Sequence, residues 1–237
     1  MNLEEFSIDL KEKSNKIDVK IRDKEVEQFY EYMNSLLEWN EKINLTAITE
    51  PKEVILKHFI DSITIQKYIQ KENSVVDVGT GAGFPGIPLN IVNNEAKYTL
   101  VDSLNKRIKF LNEIIDKLSL KNIETVHSRA EDFAKENRET YDVATSRAVA
   151  ALNVLLEYLL PLVKVGGLCI CMKGSNVQEE IEASSNALKI LGGQIEKVEQ
   201  ITLPDSDIIR NIVIVRKVTK TSSKYPRKAG LPSKEPL

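Results

Sequence analysis

The spacing of apolar positions along the chain changes near Lys71. Upstream, Val26, Phe29, Tyr30, Met33, Leu36 and Leu37 recur every three or four residues, which predicts a helix with one buried stripe over 23–39. Val54, Ile55, Phe59, Ile63 and Ile65 carry a similar rhythm and predict a second helix over 51–69, with Thr49 as a candidate cap and Pro51 in its first turn. The polar stretch WNEKINLTAITE separates the two, so residues 1–71 read as a helical cap. Downstream, short β-branched runs alternate with helical patterns. Strands are predicted at 74–78, 97–101, 123–127, 141–146, 167–172, 194–203 and 209–216.

Strands separated by helices pair in parallel and build a doubly wound α/β sheet. Only PDSD lies between the last two, which predicts an antiparallel hairpin at the end of an otherwise parallel sheet. That pattern divides the chain into the cap, an α/β domain over 72–217, and an irregular tail over 218–237.

No apolar run is long enough for a membrane span, and the acidic N-terminus does not have the form of a signal peptide, so the expectation is a cytoplasmic protein without a membrane partner. Cys169 and Cys171 share one face of a strand and cannot bridge each other. With His58 and His127 the only histidines, the cysteines read as buried apolar residues and no metal is expected. Net charge is −2, but residues 216–237 hold seven bases and one acid, leaving 26 bases and 34 acids elsewhere. A basic tail on an acidic body is either an arm for phosphates or a solvated end.

The stretch VDVGTGAGFPG sets Gly79, Gly81 and Gly83 where the first strand turns into a helix, a place where a ligand can approach the backbone. A phosphate-binding Walker loop is excluded, because Ile87 and Pro88 follow Gly86 where lysine and a hydroxyl residue are required. A dinucleotide fingerprint fits by spacing, with Asp102 as the ribose acceptor. A nucleoside bearing an amino acid accounts for more residues. Asp77 is a carboxylate in an apolar strand that needs a cationic partner, Asp102 can accept from both ribose hydroxyls, and Ala130 with Glu131 can meet an adenine edge.

Together these motifs resemble those of the S-adenosylmethionine-dependent methyltransferases, whose Rossmann-like seven-stranded sheet has an antiparallel seventh strand. The blocks WNEKINLTAIT, HFIDSI, VGTGAGFPGIPL, LVDSLNKRIKFL, SRAED, SRAVA and YPRKAGLPSKEPL, in that order, resemble the glucose-inhibited division protein B family over nearly the whole chain. The resemblance implies methylation of guanine N7 in 16S rRNA, with S-adenosyl-L-methionine as cofactor and 16S rRNA or the small ribosomal subunit as partner. It also implies cofactor contact at Gly79, Phe84, Ala130, Glu131 and Arg147.

Guanine N7 presents an in-plane lone pair and carries no proton, so alignment rather than a general base is the requirement, and no catalytic base is assigned. Arg147 is expected to hold cofactor, guanine O6 or phosphate. Lys173, at the end of the fifth strand, is either a substrate contact or an ordinary rim lysine. His58 and Asp61 either face the site or pair within the cap. In the tail, Lys217, Lys220, Lys224, Arg227, Lys228 and Lys234 are expected to neutralise phosphates and Tyr225 to stack on an unpaired base, with prolines keeping the arm extended until it docks. A monomer suffices for this chemistry. The alternatives are a methyltransferase for a small molecule or protein, a nucleotide-responsive binding module, and a dehydrogenase, which would leave Asp77 and Glu131 unexplained.

Overall fold

The computed structural model describes residues 1–237. Seven strands, β1 (Ser74–Val78), β2 (Lys97–Asp102), β3 (Ile123–His127), β4 (Tyr141–Arg147), β5 (Val163–Lys173), β6 (Gly193–Thr202) and β7 (Ile209–Lys217), form one sheet in the order β3-β2-β1-β4-β5-β7-β6. All pairings among β1 to β5 are parallel, while β7 runs antiparallel to both β5 and β6. The strand order reverses between β1 and β4, which opens a crevice at their C-terminal ends.

The cap contains α1 (Leu3–Asn15) and α2 (Asp23–Ile43), followed by a helix in three parts. Its ends, α3 (Pro51–Val54) and α4 (Asp61–Ile63), flank a π-helical turn, Ile55–Ile60. A reciprocal capping box between Asn2 and Glu5 starts α1, and Asn44 ends α2 in the left-handed conformation. The single helix expected over 51–69 is therefore corrected: regular pitch is lost at the π turn, and the helix stops at Ile63. That wider turn lies at the site described below, a common setting for such bulges.

Helices α5 (Gly86–Val92), α6 (Asn105–Lys117), α7 (Ala130–Glu136), α8 (Leu152–Leu159), α9 (Val177–Ala183) and α10 (Ser185–Leu191) cover the two faces of the sheet, and α11 (Leu231–Lys234) lies in the tail. The cap has no separate core. Phe6, Phe29, Tyr32 and Phe59 from the cap join Phe84, Ile87 and Phe110 in one buried cluster on one side of the sheet. Tyr32 is fully buried, stacks on Phe84 and donates its hydroxyl hydrogen to the carbonyl of Ala82, inside the glycine-rich turn. No helix is long and apolar enough to cross a membrane.

Tyr32 thus pins the turn to the cap. Tyr32→Phe keeps the ring but leaves a buried carbonyl without its donor, and should lower unfolding free energy by about 2 kcal/mol. Urea denaturation checks this, and an unchanged midpoint would show that the turn holds itself.

Candidate cofactor and substrate pocket

A cavity of about 650 Å³ opens at the C-terminal ends of β1, β2 and β4. Its floor is the turn after β1, with Gly79, Thr80, Gly81, Ala82 and Phe84 in the lining. Gly79 has φ +71°, and a Cβ there would stand 2.6 Å from Val149 Cγ2, so only glycine fits both the backbone and the gap. Gly83, with φ +100°, serves the other side of the turn, since a Cβ would meet the Tyr32 hydroxyl at 2.7 Å.

Asp77 lies behind this turn and is absent from the cavity wall. One carboxylate oxygen accepts from the Thr80 hydroxyl at 2.7 Å and the Gly86 amide at 2.9 Å, while the other is buried without a partner. Burial pushes its pKa up to about 6, against the opposing pull of those two hydrogen bonds. In this arrangement Asp77 clips the turn from behind and Gly83 packs against Tyr32, and neither lies in the cavity wall.

Asp102 does line the cavity, at the end of β2. It accepts from the Gly81 amide at 2.9 Å, the Leu104 amide at 2.9 Å and the Arg107 guanidinium at 3.2 Å. It joins the first two strand ends and still has acceptor capacity for a hydroxyl. Ala130 and Glu131 open α7 on the far wall, beside Tyr158 and Gly230. Glu131 is buried and accepts from the Gly230 amide at 2.7 Å.

Arg147 closes the near wall. Its guanidinium lies 5.0 Å from the Phe84 ring centre and donates to the Lys57 carbonyl at 3.0 Å, to Asp61 at 3.1 Å and to His58 Nδ1 at 3.1 Å. Asp61, almost fully buried, also accepts from Arg210 at 3.1 Å. Because arginine only donates, His58 Nδ1 must be the bare nitrogen, and the proton sits on Nε2, 2.8 Å from the Thr46 hydroxyl. Burial, reinforced by the nearby Arg147 charge, pushes the His58 pKa down to about 3. Thr46 and His58 both line the cavity, and the His58 ring stacks on Phe84 at 4.4 Å. Of the two readings of His58 and Asp61, the structure places His58 in the wall and Asp61 one layer behind it. Tyr158 lies outside every motif and Thr46 and Gly230 fall within WNEKINLTAIT and YPRKAGLPSKEPL without standing out there, whereas polar residues within the apolar run HFIDSI are a legible signal.

Several predicted RNA contacts point elsewhere. Lys173 pairs with Glu180 at 2.6 Å and donates to the Ala150 carbonyl at 2.7 Å, ordering the segment after β4. Lys217 is wholly buried and donates to the Leu160 carbonyl at 2.6 Å and the Thr221 hydroxyl at 2.6 Å, so it cannot reach phosphate. Arg227 pairs through two nitrogens with the buried carboxylate of Glu157, at 2.6 and 2.9 Å. Tyr225 is half-buried against the core, while Lys224 and Lys228 are exposed. The arm lies folded onto the domain as a strap, held by Arg227 on Glu157 and by Lys217 on Thr221.

The sheet order and the crevice at its switch point define a Rossmann-like α/β fold with an antiparallel seventh strand. Among solved structures, the fold is similar to a SAM-dependent methyltransferase from Aquifex aeolicus (TM-score 0.51, 20% identity, 70% of this chain and 94% of that one). It is also similar to a precorrin-6y C5,15-methyltransferase from Geobacter metallireducens (TM-score 0.52, 12% identity, 74% and 92%). The sequence profile of the GidB family, described as rRNA small subunit methyltransferase G, matches residues 25–213. The chain is 55% identical over 222 residues to ribosomal RNA small subunit methyltransferase G of Acetivibrio thermocellus, covering 92% of this chain and 91% of the relative. It is 50% identical over 232 residues to the protein of that name from Alkaliphilus metalliredigens, covering 96% and 97%. The chain belongs to the GidB family of rRNA methyltransferases.

The neutral state of His58 has a measurable consequence. The unfolded chain takes up a proton below the ordinary histidine pKa of 6.5 that the folded protein refuses, so this residue withdraws stability as pH falls from 6.5 towards about 3. Between pH 7 and 5 the wild type should lose about 2 kcal/mol relative to His58→Gln, since an imidazole held neutral forfeits about 1.4 kcal/mol for every pH unit below its unfolded pKa. Denaturant titrations of both proteins measure this, and parallel pH curves would rule out the neutral imidazole. The Asp77 contribution is common to both proteins and cancels.

Proposed function

We propose that the protein transfers a methyl group from S-adenosyl-L-methionine to N7 of a guanine in 16S rRNA, by in-line displacement without a general base. The observation that carries this reading is the cavity itself, in which a glycine turn, a ribose-type acid and an adenine-type acid share one wall system. Gly79, Gly81, Phe84, Asp102, Ala130, Glu131 and Arg147 are its cofactor-facing residues, with Asp77 and Gly83 holding the turn in shape. The cavity volume of about 650 Å³ falls within the range of small-molecule sites.

The bound cofactor supplies an electrophilic methyl group on a sulfonium. The chain's part is to align, to exclude water and to manage charge. Phe84 and His58 provide flat apolar surface, and the neutral His58 adds no second cation beside Arg147. Asp61 offsets Arg147, which leaves that guanidinium a donor for guanine O6 or a phosphate without making the wall strongly positive. The exposed Lys224 and Lys228 present charge to the RNA backbone, while Lys173, Tyr225 and Arg227 act by ordering the segments that carry such contacts.

In this reading residues 1–71 cap the pocket, 72–217 hold the cofactor and 218–237 form the basic border. A cytoplasmic monomer acting on 16S rRNA or the small subunit is sufficient, and the displacement calls for no metal.

Labelled methyl transfer to small-subunit rRNA extracted from cells lacking this gene, followed by N7-specific strand cleavage, tests the proposal. Label at one guanine N7 is expected, reduced more than about a hundredfold by Gly79→Asp, which displaces the turn. Label at another atom or base would overturn the N7 assignment. Cofactor binding with no transfer to rRNA or subunits would send the activity to another acceptor.

A further inference from the structure

The composition of the tail marks it as an arm for RNA, yet its most deeply seated contacts run to the far wall of the cavity. The backbone amide of Gly230 donates to Glu131 at 2.7 Å, and Gly230 itself lines the cavity with φ +82°. Tyr158, the neighbouring wall residue, shares a hydrogen bond of 2.9 Å with Ser233. One residue before Tyr158, Glu157 is 1% exposed and holds both the guanidinium and the backbone amide of Arg227. Arg138 secures the start of the strap through the Thr221 carbonyl at 2.6 Å.

We infer that the C-terminal strap, residues 221–237, is a wall of the cofactor pocket. Docked by Arg227 on Glu157, it fixes the Glu131 carboxylate through Gly230 and closes the adenine end. Arg227 and Gly230 are thus positioning residues for the cofactor. This rests on the reading of the cavity as the S-adenosylmethionine site. It differs from that reading in what it requires: cofactor affinity without any RNA present must depend on the strap.

The geometry supports such a dependence. Glu131 has two oxygens, and the one bonded to Gly230 is unavailable to rotate away, so the other is held in a fixed direction. A carboxylate aimed by a second contact loses little freedom when a ligand binds, and that saving appears as affinity. If the strap lifts, Glu131 is freed and the pocket wall opens at Gly230 and Tyr158 together.

The test is binding of S-adenosylhomocysteine to full-length protein by calorimetry, with no RNA present. The double variant Glu157→Leu with Arg227→Met removes the clasp without stranding a buried charge. Gly230→Ala strains the left-handed backbone where a Cβ meets no neighbouring atom. The double variant should bind at least about tenfold more weakly and Gly230→Ala about fivefold more weakly. In turnover, KM for S-adenosylmethionine should rise while kcat changes little, a split that a general loss of folding would not give. Circular dichroism and thermal melting establish that each variant is folded. If the double variant does not fold, Gly230→Ala decides the question alone. Affinities within twofold of wild type in the folded variants would overturn the inference and leave the strap a border for RNA. A wild-type protein that does not bind S-adenosylhomocysteine would instead overturn the cofactor reading, and the strap proposal with it.

Discussion

The buried carboxylate of Asp61 is the constraint on which the site depends. It is 1% exposed and receives Arg147 from the end of β4 and Arg210 from the start of β7, while itself belonging to the cap. Three parts of the chain distant in sequence meet on one anion. Breaking a buried pair by removing one partner typically costs about 3–5 kcal/mol, because a charge is left without compensation. Here two guanidinium groups would be stranded. The same anion orients Arg147 towards Lys57 and His58, and that orientation determines which imidazole nitrogen carries the proton. The helical cap is therefore part of the cavity wall and shares a core with the sheet, although its apolar rhythm sets it apart from the sheet in the sequence.

Much of the sheet was legible in the chain because strand periodicity and turn chemistry agree locally. Each predicted strand coincides with an observed one to within a residue or two except β5, which starts at Val163, four residues earlier than its apolar run suggests. Its first residues, VKVGG, mix exposed and glycine positions at the pairing irregularity with β4, so no burial signal marks them. The cap was harder to read. A π turn keeps the apolar rhythm well enough to look like continuous helix, and only the polar positions His58, Asp61 and Ser62 betray it.

The site was half legible for a related reason. Gly79, Asp102 and Glu131 follow strand ends, where topology alone brings them together. Asp77 is a buried carboxylate that calls for partners without saying which. The turn's own Thr80 and Gly86 supply them for one of its two oxygens. The tail misleads through charge. Seven bases in a short segment suggest phosphates, but Arg227 is matched to Glu157, a lone acid in the apolar helix LLEYLL. That acid is the visible sign that something basic must fold back onto α8.

Charge placement then explains how one cavity can serve a cationic cofactor and an anionic polymer. Acidic side chains, Asp102 and Glu131, lie along the wall where a nucleoside would sit, each tied by backbone amides that fix its direction. Two of the arginines that line the cavity are paired, Arg147 with Asp61 and Arg107 with Asp102, while Lys224 and Lys228 are exposed on the strap. Two exposed charges farther apart than a Debye length scarcely affect each other at physiological salt, whereas the buried pairs are little screened. The pairing of Arg147 with buried Asp61 therefore persists at physiological salt, while Lys224 and Lys228 act only over the screening length. Beside Arg147, a neutral imidazole and an aromatic ring, rather than another cation, form the cavity surface.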